Sequence, residues 1–433
     1  MVSVLTVVYI SGIAVERSEE RKGIFWISIV IVLSFLFVFK YYNFFTDALP
    51  GALNLPLLKT ASPVGLSFYT FAGLSYVIEV YRKRIKAEKN IFYLAQFITF
   101  FPLVVSGPIE RPYNILPQLR EEKNFDYDSV KKGLILVTLG FFKKIVIADR
   151  IADLSEKVFS NPQEYKGIAL IAGAVLFSIQ IYCDFSGYTD IAIGIASIMG
   201  FKVMENFNLP YYAKSIQDFW ARWHISLSTW LRDYLFLPIA YLITRKLNNK
   251  PFLGMKSENW SYLAGISFTM LVCGLWHGAN WTFIVWGLLH ALYLVIGFLT
   301  KKIRKRILRK SGLEKSIISS IFKTSFTFSL VTLAWVFFKS ESISAGYYFV
   351  SNIFSGFSLL TVMKIFSSRY ELIVVLSLLI LLELIHFVQK KYGILNFINS
   401  RPVWQRWGFY YFFIFIILIF GRFDSATFIY ANF

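Results

Sequence analysis

Charge is scarce in this sequence. Asp, Glu, Lys and Arg make up 16% of its 433 residues, against about 25% in an ordinary soluble domain. A soluble chain of this size needs a thicker charged skin. A cytosolic enzyme is excluded, and so is a disordered chain. Cysteine is nearly absent: Cys183 and Cys273 are the two, both inside apolar stretches. That excludes a disulfide scaffold. No Cys/His ligand spacing occurs either, so no metal site is expected. The sequence lacks a Gly-rich phosphate loop and a G-x-S-x-G elbow, which removes the nucleotide-driven pump and the serine hydrolase. Its first residues lack the basic region and small-residue cleavage site of a signal peptide.

What fills the chain is apolar: 56% of residues are hydrophobic and 19% aromatic. Charge-free runs occur at 24–39, 167–183, 324–338, 372–382 and 407–421. The longest is 259–300, enough for two crossings at about 1.5 Å per residue. Cations sit between the runs and account for the net charge of +19. One cluster is Arg82, Lys83, Arg84, Lys86 and Lys89; a second is Arg245, Lys246, Lys250 and Lys256. The third is Lys301, Lys302, Arg304, Lys305, Arg306, Arg309 and Lys310, and the fourth Lys390, Lys391, Arg401 and Arg406. In a soluble protein such charge would suggest nucleic acid. Here the positive-inside rule places all four clusters in the cytoplasm and no nucleic-acid partner is expected. The run near 259–275 then goes out, 281–299 returns, 319–338 goes out, 372–389 returns and 407–421 exits. Residues 91–106 are apolar, but Arg111, Arg120, Lys123, Lys131 and Lys132 follow them. A re-entrant hairpin through Pro102 and Gly107-Pro108 resolves the conflict. The expectation is an all-α polytopic membrane protein, residues 1–433 as one domain, with about nine to eleven embedded helices counting re-entrant ones.

Ionisable groups at membrane depth are expensive and therefore candidates for function. His277 lies in the middle of the longest bare run, beside Gly278 and near Asn280. A neutral imidazole there is a good general base. His290 lies about 220° further round a helix and reads as packing; His386, near Lys390, reads as interfacial. His224 falls in the segment 218–234, where Trp220, Trp223, Leu227, Trp230 and Tyr234 recur at helical spacing. This predicts one amphipathic helix, and spacing alone favours a helix lying in the bilayer interface. The alternative is a helix lining a polar cavity, with His224 and Ser228 one turn apart.

Asp184 and Asp190 flank Ser186-Gly187-Tyr188 and read either as an ion path or as caps of a broken helix. Glu110-Arg111 reads as an ion pair bracing the re-entrant turn or as a solvated loop pair. Lys143 and Lys144 are expected to snorkel to the cytoplasmic face.

Several blocks occur in a recognisable order: PVGLSFYTF at 63–71, SYVIEVY at 75–81, FFPLVVSGPIERP at 100–112 and GFFKKIVIADRIA at 140–152. YCDFSGYTDIAIGIASIMGF at 182–201, NFNLPYYAKSIQDFWARWHISLSTWLRDYLFLPI at 206–239 and CGLWHGANWTFIVWGLLHA at 273–291 follow. With these the chain resembles the membrane-bound O-acyltransferase family in its bacterial alginate O-acetyltransferase branch. The resemblance covers most of 60–300 and implies a helical funnel with a thin floor. Its W-H-G histidine maps onto His277 as the catalytic residue, and its W-H-x-S-L-S histidine onto His224 as a second active-site position. Ser228, Asn280, Trp276 and Asp184 are the substrate-binding candidates beside them.

The reaction implied is acyl transfer, of acetyl above all, from a cytoplasmic thioester (acetyl-CoA or an acyl carrier protein) to an extracytoplasmic polysaccharide hydroxyl. No bound cofactor is expected. The implied partners are the bilayer, a donor protein and a separate extracytoplasmic protein of esterase fold that completes the transfer. The implied location is a bacterial cytoplasmic membrane. D-alanyl transfer to teichoic acid is an alternative, and a transporter using Asp184, Asp190 and Glu79 is another. The resemblance also implies further hydrophobic helices ahead of residues 7–16, so the chain reads as shortened there.

Overall fold

Lipid offers the backbone no hydrogen bonds, so apolar runs of this kind are stable as helices. The computed structural model describes residues 1–48, 56–58, 62–248, 250–251, 254–314, 316–356, 359–423 and 428–429. Among the described residues every regular element is a helix. The first group is α1 (Val2–Arg17), α2 (Arg21–Leu36), α3 (Tyr42–Ala48) and α4 (Leu66–Tyr81), with a π-helical turn at Phe37–Tyr41 joining α2 to α3. α5 (Ile91–Ile98) and α6 (Pro112–Arg120) pack on each other and on α4. The chain therefore folds back within 91–120 instead of spanning.

α7 (Tyr127–Phe141) passes through a π-helical turn at Phe142–Ala148 into α8 (Asp149–Ser160), and α9 (Ile168–Ile198) follows. α10 (Ile216–Trp220) and α11 (Ile225–Leu231) are short, and a third π-helical turn, Arg232–Phe236, leads into α12 (Leu237–Lys246). α13 (Ser257–His277) and α14 (Trp281–Leu299) form a hairpin, followed by the basic α15 (Lys301–Lys310). The rest is α16 (Ile317–Lys339), α17 (Ile343–Asn352), α18 (Leu359–Met363), α19 (Arg369–Tyr392), α20 (Ile394–Asn399) and α21 (Val403–Phe420).

Six described stretches are long and apolar enough to cross a membrane: Arg21–Thr46, α9, α14, α16, α19 and α21. The chain is thus an all-α, multi-pass membrane protein. The larger expected count includes shorter or more polar helices, and α1, α4, α7 and α13 indeed pack against these spans.

α9 is unbroken, which corrects the reading of Asp184 and Asp190 as caps. It crosses α7 with backbones nearly touching: a Cβ added at Gly140 would lie 2.6 Å from the Gly187 carbonyl oxygen, and one at Gly133 2.5 Å from that of Gly194. The close approach brings the acids of α9 to the lysines after α7. Lys143 Nζ lies 2.5 Å from Asp190, and Lys144 Nζ lies 2.6 Å from Asp149 and 2.7 Å from Asp184. Lys143 and Lys144 therefore do not snorkel. A cation inside the bundle is cheaper when paired than when stretched towards water.

Candidate active site

α13 ends on His277, and Gly278 leaves the helix with extended backbone. The turn is fixed from the other side by Asn280. Its Oδ1 accepts from Thr282 N at 2.9 Å, capping α14, and its Nδ2 donates to the Glu341 carbonyl at 3.1 Å. Asn280 thus holds the turn with both ends of its amide. The hairpin is close: a Cβ at Gly287 would stand 2.4 Å from the Met270 carbonyl oxygen.

The His277 ring is 1% exposed and the His224 ring 0%. Both pack on one indole. Trp276 lies 5.0 Å from His277 and 5.9 Å from His224 between ring centroids, with Phe68 and Phe71 each at 5.6 Å. Trp276 Nε1 is buried and meets no hydrogen-bond partner among the described residues.

His224 reaches this place because the expected amphipathic helix over 218–234 is broken. α10 stops at Trp220, and His224 itself has φ 42° and ψ 54° before α11 begins. The left-handed region is rare for a side chain of this size and costs about 1–3 kcal/mol. Asn206 offsets that cost. Its carbonyl accepts from Ile225 N at 2.9 Å, and its Oδ1 accepts from Ser226 N, Ser226 Oγ and His224 Nδ1 at 3.2, 2.8 and 3.0 Å. Because that oxygen only accepts, Nδ1 of His224 carries the proton. In the neutral ring the lone pair is on Nε2. The interfacial reading of this segment is therefore corrected: the polar network turns His224 inward. Ser228 sits one turn on, its Oγ donating to the Trp223 carbonyl at 3.0 Å.

The sequence reading missed Lys40. It lies in the π-helical turn after α2, and its Nζ donates to the Trp276 carbonyl at 2.5 Å and to Ser67 Oγ at 3.0 Å. Tyr41 donates to the Leu275 carbonyl at 2.7 Å. Together they satisfy carbonyls at the C-terminal end of α13, where a cation is favoured by the helix dipole. The one sequence signal was a lone lysine closing the first charge-free run.

Other candidates are placed elsewhere. Asp184 turns to Lys144 and to the backbone N of Ile429 at 3.0 Å, while its neighbour Phe185 packs edge-on against His224 at 4.7 Å. Its carboxylate is thus engaged in the wall of the bundle. His290 accepts from Trp220 Nε1 at 3.3 Å and, like His277, packs on Trp286, at 4.9 and 4.8 Å. His386 is buried, 3.2 Å from the Tyr182 hydroxyl. Glu110 and Arg111 are both buried, and the loop-pair reading fails. Glu110 accepts from Met204 N and Asn114 Nδ2, while the Arg111 guanidinium donates to Ile109 O and Thr229 Oγ1. Glu79 is held by Tyr234, Arg82 and Arg84.

The arrangement is two imidazoles around one indole in an apolar interior. It suits proton transfer to or from a hydroxyl and hydrogen bonding to a polarised carbonyl.

Comparison with known proteins agrees with that chemistry. A family model described as "MBOAT, membrane-bound O-acyltransferase family" matches residues 80–338. A protein named "Probable alginate O-acetylase AlgI" from Azotobacter vinelandii is 36% identical over 350 residues, 79% of this chain and 65% of that protein. One of the same name from Pseudomonas aeruginosa is 35% identical, over 79% of this chain and 62% of its own length. A "Peptidoglycan O-acetyltransferase" from Helicobacter pylori is 30% identical, over 74% of this chain and 62% of its own length. The matched part thus spans less than two thirds of each of these relatives.

Proposed function

The chain belongs to the membrane-bound O-acyltransferase family, and we propose that it moves an acetyl group from a cytoplasmic thioester to an extracytoplasmic polysaccharide hydroxyl. The observation that carries this reading is His277, buried at a hairpin tip and grouped with His224 around Trp276. The hairpin starts after Lys256 and ends before Lys301. Its cationic ends share one side, so the tip with His277 lies towards the other.

In the reaction His277 accepts the acceptor hydroxyl's proton as that oxygen attacks the thioester carbonyl. The tetrahedral intermediate then expels the thiolate, which takes the proton back from His277. A C–O bond forms, a C–S bond breaks, and no protein nucleophile is required. Trp276 Nε1 is the donor for the developing oxyanion, since a buried N–H without a partner is strongest towards new negative charge. His224 presents Nε2 as an acceptor and orients the incoming hydroxyl. The donor, acetyl-CoA or an acetylated carrier protein, is a substrate, and the site holds no resident cofactor. The attacking hydroxyl belongs to a separate extracytoplasmic esterase-fold protein, which then hands the group on to the polymer. The membrane is a bacterial cytoplasmic membrane.

The acetyl reading rests on the names of the relatives. It is tested by giving the purified protein, together with its esterase-fold partner, acetyl and D-alanyl thioesters in parallel with a soluble polysaccharide. Acetyl ester formation with the first donor supports the reading; ester formation with D-alanine alone overturns it. Polymer acetylation in cells lacking every esterase-fold partner would remove the partner from the scheme.

A further inference from the structure

α7, α19, α20 and α21 enclose a groove of about 640 Å³, and neither His277 nor His224 lines it. Its walls are apolar, with Leu134, Leu139, Leu384, Phe397 and Ile414 among them, and no carboxylate lines it. Along α7 it runs from Tyr127 to Leu139. At 1.5 Å per residue that depth is about 18 Å. This is close to one leaflet, half of a hydrocarbon core about 30 Å thick. The groove therefore fits a lipid of one leaflet and not a spanning helix.

One mouth is cationic. Lys131 stands in the lining, with its Nζ 2.5 Å from Asn399 Oδ1. The Arg401 guanidinium stacks on Phe397 at 4.4 Å. Arg406 precedes the lining residue Trp407, and its Nε has no partner among the described residues. None of the three forms an ion pair among the described residues. Two basic segments more than 250 residues apart in sequence thus meet at this mouth. Elsewhere in the bundle the half-buried lysines Lys143 and Lys144 are matched by acids.

We propose that this groove is a binding site for one anionic phospholipid of the cytoplasmic leaflet. Its acyl chains lie along α7 and α21, and its phosphate rests on Lys131, Arg401 and Arg406. Cations at a membrane surface attract anionic headgroups, and the aromatic rim of Tyr127, Trp407 and Tyr410 suits the interface.

The test is native mass spectrometry of the full chain in non-ionic detergent, titrated with phosphatidylglycerol and phosphatidylcholine of matched chains. The expected result is at least tenfold tighter retention of phosphatidylglycerol. The triple variant K131Q/R401Q/R406Q brings the two lipids to near parity. Leu134 and Leu384 are 55% and 56% exposed, so Leu134→Trp with Leu384→Trp fills the groove from its lipid side and loses both lipids. Lys302→Gln on α15 changes nothing. Equal retention by the unaltered protein overturns the proposal, as does a triple variant that keeps its preference. A groove-filling variant that changes the oligomeric state in place of lipid retention points to a second copy as occupant, which also overturns it.

Discussion

At the scale of single residues, the site is an exercise in holding neutral rings still. Lys40 places its Nζ inside a span, directed at the backbone of the residue before His277. A hydrogen bond is worth about 0.5–1.5 kcal/mol net, and a tenfold change in rate is about 1.4 kcal/mol. Lys40→Met is expected to lower kcat about tenfold with KM within about twofold, and Lys40→Arg to recover part of the loss. Steady-state kinetics on purified protein separates the two constants; unchanged kcat would remove Lys40 from the machinery. Trp276→Phe keeps most of the packing and deletes the buried donor. Loss of one oxyanion donor costs about 10²–10³ in kcat, and that loss with normal protein yield is the expected outcome. His277 was legible because a bare run made it conspicuous. Lys40 and Asn206 were not, since each acts on a residue far along the chain and neither carries a local pattern.

At the scale of elements, the departures from ideal helix carry the polar chemistry. The three π-helical turns, Phe37–Tyr41, Phe142–Ala148 and Arg232–Phe236, contain Lys40, Lys143, Lys144 and the Tyr234 that binds Glu79. Turns of this kind often mark functional positions in helices. The pairing of Lys143 with Asp190 gives a sharp prediction. Lys143→Met leaves a carboxylate without its cation and is expected to destabilise the protein by about 2–3 kcal/mol. The double variant with Asp190→Asn recovers most of that loss. Thermal unfolding in detergent of the two single variants and the double reads the coupling; additive losses would mean that the pair is not a unit. Helical periodicity over 218–234 was legible, but the break at His224 was not. A left-handed residue is imposed by Asn206 from outside the segment, and spacing carries no trace of it. The glycines of α7 and α9 were visible letters, yet their pairing across two helices required the fold.

At the scale of the whole molecule, low charge content and cationic clusters were enough to read a helical, multi-pass membrane protein. They were not enough to rank the helices. α13 carries the central histidine but is not among the six stretches long and apolar enough to cross on their own. The cationic mouth between α7 and α20 was illegible for the same reason as Lys40: its parts are far apart in sequence. The proposal that all three scales bear on is that His277 removes the proton from the accepting hydroxyl. A positioned general base contributes about 10²–10⁴-fold. The most direct measurement is single-turnover transfer from a labelled acetyl thioester to polysaccharide by the purified protein together with its esterase-fold partner, comparing His277→Ala with His290→Gln. A fall of about 10²-fold or more for His277→Ala, with His290→Gln retaining transfer and both proteins monodisperse, is the predicted result. Near-normal transfer by His277→Ala would contradict it.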